Sequence, residues 1–439
     1  MFRSFLLSLS LTIAFPVYSL DLIEAYQLAK DEDQAFIAAK YRSESDKEGY
    51  YQAEANLLPQ ININANTSIT ERSVADRPSG QAGFDERFNS NGYELSINQP
   101  IYNRSLWQEL SGAKLRQLKA EADLFDQHQD LILRVSQAYF EVLQAEDAVT
   151  FQVRQQEAFS EQLKQAQNGL KAGLNTVIEV HQARASLDQA IAEEISAQQV
   201  LTNAQQTLAN QLNEPVTVLS RLGDKKPSFL LQEALQDSVN LARKNNSSLE
   251  SLRLDMEVQS KTLESLRSDH LPTLDAVVRL GREFNGGVSF IGGDVETQFY
   301  GLQLTIPVYS GGRTSSEIRQ AEFTLGEVRA VYQEAYRQLQ RDVTAQYMLL
   351  ESNTIRIQAN QTALDSSENV LTAMQRGYEI RTRRYSDVLQ AQQDLLQSQQ
   401  RLNNSVYEYI LGYLEYQRLI GDLNQEDLIG LNSYLINNI

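Results

Sequence analysis

The placement of proline constrains this chain more than any other feature. All eight prolines fall at positions 16, 59, 78, 100, 215, 227, 272 and 307. None lies in 101–214 or 308–439. A proline inside a helix removes a hydrogen bond and clashes with the preceding turn, so both windows are free to hold uninterrupted helix. Their wealth of Ala, Gln, Leu, Glu and Arg favours it. In the first window Leu131, Val135, Ala138, Val142, Ala145 and Val149 recur at alternating steps of four and three. In the second, Ile318, Ala321, Leu325, Val328, Tyr332, Ala335 and Leu339 do the same. Such heptad seams pack helices side by side as coiled coils. A helix from Arg104 to about Asn168 would extend on the order of 100 Å. A globular core has no use for that length, whereas a shaft or tube does.

The landmarks around these windows occur twice. GLKAGLNTVIEVHQAR (169–184) is echoed by GYEIRTRRYSDVLQAQ (377–392), with Gly169 matching Gly377, Glu179 matching Asp387 and Val180 matching Val388. Leu58-Pro59 matches Leu271-Pro272, and Pro100-Ile101-Tyr102 matches Pro307-Val308-Tyr309. One spacing relates nearly all of them, so the chain reads as a tandem duplication. The expected plan is a leader over 1–19, a first repeat over 20–212, a linker over 213–232, a second repeat over 233–421 and a final segment over 422–439. Each repeat holds a helix, a β-hairpin (about 58–101 and about 271–308) and a long helical hairpin.

The hairpins alternate. Ile61, Ile63, Ala65, Thr67 and Ile69 interleave with Asn62, Asn64, Asn66, Ser68 and Thr70. Tyr93, Leu95 and Ile97 follow suit, as do Leu274, Ala276, Val278 and Leu280, then Tyr300, Leu302, Leu304 and Ile306. Strands of about ten residues with one apolar face are the pattern of a transmembrane barrel, and equally of a half-buried soluble sheet. The segments 71–92 and 282–297 read as long polar loops, and Tyr102, Trp107 and Tyr309 stand where an interfacial aromatic belt would lie. Four strands cannot close a barrel, and an open edge in lipid costs several kcal/mol per unpaired group. Strands that span a bilayer therefore require several chains. Three chains would supply twelve strands and a lumen.

Residues 1–19 carry Arg3, an apolar run from Phe5 to Phe15 and a small-residue end, which reads as a secretory leader. Its removal takes one arginine and shifts the net charge from −18 to −19. That acid excess argues against a nucleic-acid partner. There is no cysteine, hence no disulfide or thiolate chemistry. Histidines 128, 181 and 270 lack metal-ligand spacing, and no nucleophile elbow, P-loop or dinucleotide fingerprint is present. No enzyme activity, cofactor or metal is expected. The alternative to a channel is a periplasmic coiled-coil adaptor or structural surface protein, which accounts for the heptads but not for the paired alternating strands.

The chain resembles the TolC family of bacterial outer-membrane efflux ducts. The motifs that carry the resemblance are DHLPTLD (269–275), GYEIRTRRYSDVLQA (377–391), the two proline-aromatic joints and the tail YEYILGYLEYQRLIGDLNQEDLIGLN (407–432). The resemblance implies an α+β membrane protein in the outer membrane. It would be a homotrimer whose twelve-stranded β-barrel, four strands per chain, continues into a long antiparallel α-helical tunnel in the periplasm. It implies an exit duct for drug efflux or type I secretion, serving an inner-membrane RND, ABC or MFS transporter through a periplasmic adaptor. The repeated turns would be the tips of the helical hairpins at the closed end. There Tyr378 and Arg383 match gate residues and Glu179 stands where an Asp is usual. Asp387 matches an acid of the constriction ring, with Gln390 at the second ring position. Gly173, Leu174, Arg381 and Thr382 form the tips that contact the adaptor. Gln390 halves the charge expected at the constriction, Ile178 replaces a hydroxyl residue, and Arg381 replaces a glycine. On the residues alone, Arg381, Arg383 and Arg384 also read as a solvated basic turn, and Glu179 and Asp387 as first-turn helix caps.

Overall fold

The computed structural model describes residues 19–75, 83–173, 175–216, 218–223, 234–285 and 294–436. The expected leader lies outside them apart from Ser19, as does Leu174. The first repeat runs α1 (Leu22–Glu32), α2 (Gln34–Ala55), β1 (Gln60–Val74), β2 (Phe84–Tyr102), α3 (Arg104–Lys171) and α4 (Val177–Leu212). After a short β3 (Arg221–Leu222), the second runs α5 (Leu235–Asn245), α6 (Ser247–Ser268), β4 (Thr273–Asn285), β5 (Asp294–Thr305), α7 (Arg313–Glu379) and α8 (Tyr385–Ile420). Then come α9 (Gln425–Asn432) and β6 (Leu435–Ile436). Matching helices have 11 and 11, 22 and 22, 68 and 67, and 36 and 36 residues. The duplication is therefore structural as well as textual. Pro59 and Pro272 stand immediately before β1 and β4, where a residue without an N–H ends the preceding helix.

The chain forms two compact units, and each draws on both repeats. One comprises Lys40–Leu124 and Ser247–Arg337. It contains an antiparallel four-stranded sheet in the order β1-β2-β4-β5, so the β2–β4 pairing joins the repeats. The register opposes Ile61 to Ile97 and Ile63 to Leu95. It then opposes Ile97 to Val278 and Leu95 to Leu280, and finally Val278 to Tyr300 and Ala276 to Leu302. Directly opposed residues share a face, so four separate alternations become one apolar surface. That surface is open on the outer strands, where Ile63 is 76% and Leu302 71% exposed, and half-covered at Leu95, Ile97, Val278 and Leu280 of the inner strands. Within the described residues β1 and β5 each pair along one edge only.

The strands exceed the ten residues expected, at 15, 19, 13 and 12. Much of what reads as loop in 71–92 and 282–297 is strand, and nearly all of the remainder (76–82 and 286–293) lies outside the described residues. Cross-strand polar pairs extend the ladder beyond the apolar zone. Arg87 pairs with Glu71 at 3.2 Å, Ser73 donates to Asp85 at 2.5 Å, and Arg282 pairs with Asp294 at 2.9 Å. Glu71 and Arg87 are directly opposed and Arg282 and Asp294 lie diagonally, and opposite charges within reach across an antiparallel pair support it, a contribution that hydrophobic alternation does not register. Tyr102, Trp107 and Tyr309 are all exposed. Among the described residues no helix is long and apolar enough to cross a membrane.

The other unit comprises Phe125–Asn246, Gln338–Ile439 and the chain before Lys40. It holds the densest core. The first heptad seam is buried from Leu131 through Val135, Ala138 and Val142 to Ala145. Of the second seam only Leu339 lies in this unit, where it is buried; the rest belongs to the sheet-bearing unit, with Leu325 buried and the others half-covered. Tyr407, Tyr409, Ile410, Leu414 and Tyr416 of the tail motif are buried, each such side chain contributing on the order of 2 kcal/mol. Tyr139 lies wholly inside, its hydroxyl donating to the carbonyls of Ser220 at 2.8 Å and Leu20 at 3.0 Å. Burial, then the nearby Asp21 carboxylate, pushes that hydroxyl well above the usual phenol range.

Candidate functional site

The repeated turns connect α3 to α4 and α7 to α8. In the first, α3 closes on Lys171 and Gly173 takes a left-handed conformation at φ 71°. The N–H of Asn175 donates to the carbonyl of Gly169 at 3.2 Å. Thr176 caps α4. Its N–H donates to Glu179 Oε2 at 2.6 Å, and the N–H of Glu179 donates to Thr176 Oγ1 at 3.3 Å. This reciprocal capping box satisfies two otherwise orphaned donors.

The second turn repeats the design with different side chains. Arg381 occupies the left-handed position at φ 58° where the first turn has Gly173. The carbonyl of Gly377 accepts the N–H groups of Thr382 at 2.8 Å and Arg383 at 3.1 Å, and the Thr382 hydroxyl at 3.0 Å. Asp387 accepts the N–H of Arg384 at 3.1 Å through Oδ2. Tyr378 and Tyr385 lie with ring centroids 5.4 Å apart. Gln390 donates to Asp394 at 3.0 Å.

Glu179, expected at the gate, and Asp387, expected in the constriction ring, are thus both first-turn caps, the local reading that the residues alone already allowed. Within the chain, the Glu179 carboxylate bonds Thr176 and forms no ion pair with Arg383. Thr382 stiffens its own turn. Arg376, Arg381, Arg383 and Arg384 are all exposed and make no ion pair among the described residues. Nor do the described residues hold a group of His, Asp or Glu able to bind a metal.

A second polar cluster was missed by sequence reasoning. Asp147 of α3 accepts from Asn403 at 2.9 Å and Tyr407 at 3.1 Å, both on α8. Its neighbour Glu146 accepts from Arg221 of β3 at 2.6 Å. Burial, then the Asp147 carboxylate, raises the Tyr407 hydroxyl far above its ordinary value. No local signal marks these partners, which are far apart in the chain. The capping box was legible, because Thr176-x-x-Glu179 is the capping pattern itself.

Relatives of known name extend over nearly the whole chain. "Outer membrane protein TolC" of Vibrio cholerae is 30% identical over 97% of this chain and 96% of its own. "Proteases secretion protein PrtF" of Dickeya chrysanthemi is 25% identical over 95% and 91%. The crystal structure of the Campylobacter jejuni CmeC outer membrane channel superposes with a TM-score of 0.75 at 18% identity, covering 94% of this chain and 89% of that one. The outer membrane efflux protein family matches residues 25–214 and 238–421, one match to each repeat, and the chain belongs to that family.

Proposed function

We propose that three copies of this chain close their sheets edge to edge into a twelve-stranded barrel, and that the assembly is an outer-membrane exit duct for efflux or secretion. The observation that carries this reading is the sheet itself: one continuous apolar face, most exposed on the outer strands, with an edge on each flank that is unpaired among the described residues. In lipid each unpaired group costs several kcal/mol, and another copy of the same sheet removes that cost. Relatives bearing names such as protease secretion protein and TolC support a conduit for cargo that a separate pump selects. A periplasmic adaptor and an inner-membrane transporter supply cargo and energy.

The turns serve as the closed end. Glu179 keeps Oε1 for the guanidinium of Arg383, Tyr378 adds a second polar link, and Asp387 repeats three times around the constriction, with Gln390 beside it. Exposed links of this kind are worth about 0.2–1 kcal/mol each, weak enough for a docking partner to open. Gly173, Leu174, Arg381 and Thr382 meet that partner. Cross-linking in detergent tests the assembly, and a monomer would end the proposal. Planar-bilayer recording tests the duct. Arg383→Ala and Tyr378→Phe raise conductance if they gate it, and unchanged conductance in both single variants and the double variant removes them from the gate.

A further inference from the structure

The second turn carries two features that its gate role leaves unexplained. The first is strain. Arg381 sits at φ 58°, a left-handed conformation that costs a side-chain-bearing residue about 1–2 kcal/mol. The equivalent place in the first turn is Gly173, which adopts it freely. Strain held at one position points to a use for that side chain. The second is charge. The stretch Arg376–Arg384 holds four arginines and one acid, in a chain whose net charge is −18. All four arginines are exposed, and none is engaged in an ion pair among the described residues. The first turn has only Lys171 across the matching stretch and instead exposes Val177 and Ile178.

We infer that the Arg381 turn is a docking surface for an acidic segment of a partner protein, read by Arg381 and Arg384. The inference rests on the duct reading, in which the turns are the partner-facing end. An arginine fork holds a carboxylate through two parallel hydrogen bonds. The three bonds to the Gly377 carbonyl order the backbone that carries the forks, so the cost of contact falls on the arginine side chains alone. The surroundings favour protein over lipid. Ile380, 72% exposed, and Tyr378, 46% exposed, flank the arginines, and tyrosine and arginine around an apolar anchor are the composition of protein hot spots. The acid excess of the rest of the chain repels an acidic segment elsewhere and so directs it to this turn.

The test uses the full-length protein held in amphipol. The probes are two synthetic helical peptides with leucine anchors, one with four glutamates on one face and the other with lysines in those places, and vesicles of phosphatidylglycerol. Fluorescence anisotropy reads peptide binding and co-flotation reads vesicle binding. The glutamate peptide is expected to bind at least about tenfold more tightly than the lysine peptide, and to weaken about tenfold with Arg381→Glu or Arg384→Glu. Arg381→Gly, which relaxes the turn instead of straining it, should also weaken binding. Equal binding of the two peptides, unaltered binding by the arginine variants, or capture of vesicles without the glutamate peptide would overturn the inference. Bilayer conductance of the unsubstituted protein is a separate readout: a conducting protein that ignores the glutamate peptide leaves the duct standing and removes only the docking surface.

Discussion

Gly377 and Arg383 meet through backbone and side chain at once. The glycine carbonyl accepts the arginine N–H at 3.1 Å, and a Cβ placed on Gly377 would lie 2.6 Å from Arg383 Cγ and 3.3 Å from its Cβ. The arginine stem therefore occupies the space that any other residue at 377 would need.

Alanine at the two glycines of α7 should accordingly act in opposite senses. Gly326 has open space around it, so Gly326→Ala should stabilise by about 0.5–1 kcal/mol through helix propensity. Gly377→Ala gains the same propensity but forces Arg383 aside, at a cost of about 1–3 kcal/mol. Thermal unfolding of the two variants, with hydrogen exchange at 378–384, checks this. Greater protection of the turn in Gly377→Ala would contradict the packing.

The left-handed position should show the same asymmetry between repeats. Arg381→Gly removes strain and should raise amide protection in the second turn by about 1 kcal/mol, whereas Gly173→Ala should lower it in the first by a similar amount. Hydrogen exchange of both turns in each variant decides it. Loss of protection in Arg381→Gly would mean that the arginine side chain stabilises the turn.

The register fixes which strand residues tolerate charge. Ile63 lies on the apolar face opposite Leu95, and Asn64, opposite Glu94, lies on the other. In a membrane barrel Ile63→Lys should cost about 2–4 kcal/mol, while Asn64→Lys should be nearly neutral. Outer-membrane yield and heat-modifiable migration of the two variants measure the difference. Equal tolerance would remove the lipid-facing assignment.

Acid should loosen the unit that contains Asp33. Burial favours the neutral acid, but hydrogen bonds from Arg134 and the N–H of Phe36 outweigh it and hold the carboxyl below the usual aspartate range. A lowered folded pKa means that its contribution is complete above the ordinary aspartate value and is lost as pH falls through the lowered one. Asp33→Asn should cost about 1–3 kcal/mol at neutral pH and flatten this acid limb. Melting temperature against pH reads both, and an unchanged limb would show that other carboxylates carry it.

Much of this architecture was legible along the chain. Proline-free windows became α3, α4, α7 and α8. Alternation around Ile63 and Leu302 became β1 and β5, and the seam from Leu131 to Ala145 became buried core. These signals survive because helix periodicity, strand alternation and the loss of an N–H at proline each act over a few residues. The matched glycines 169 and 377 likewise marked where the helices reverse.

What only the folded chain decided concerns partners remote in sequence. Alternation did not set the order β1-β2-β4-β5, which depends on the pairing of Leu95 with Leu280 across the repeats. Nor did it carry the strands past their apolar windows, where the Arg87–Glu71 and Arg282–Asp294 pairs take over. The turns show the same division at close range. Sequence placed Glu179 and Asp387 there, but the backbone N–H groups of Thr176 and Arg384 reach their carboxylates first. A helix start presents those donors within three residues, whereas a cross-hairpin arginine must be delivered by the fold.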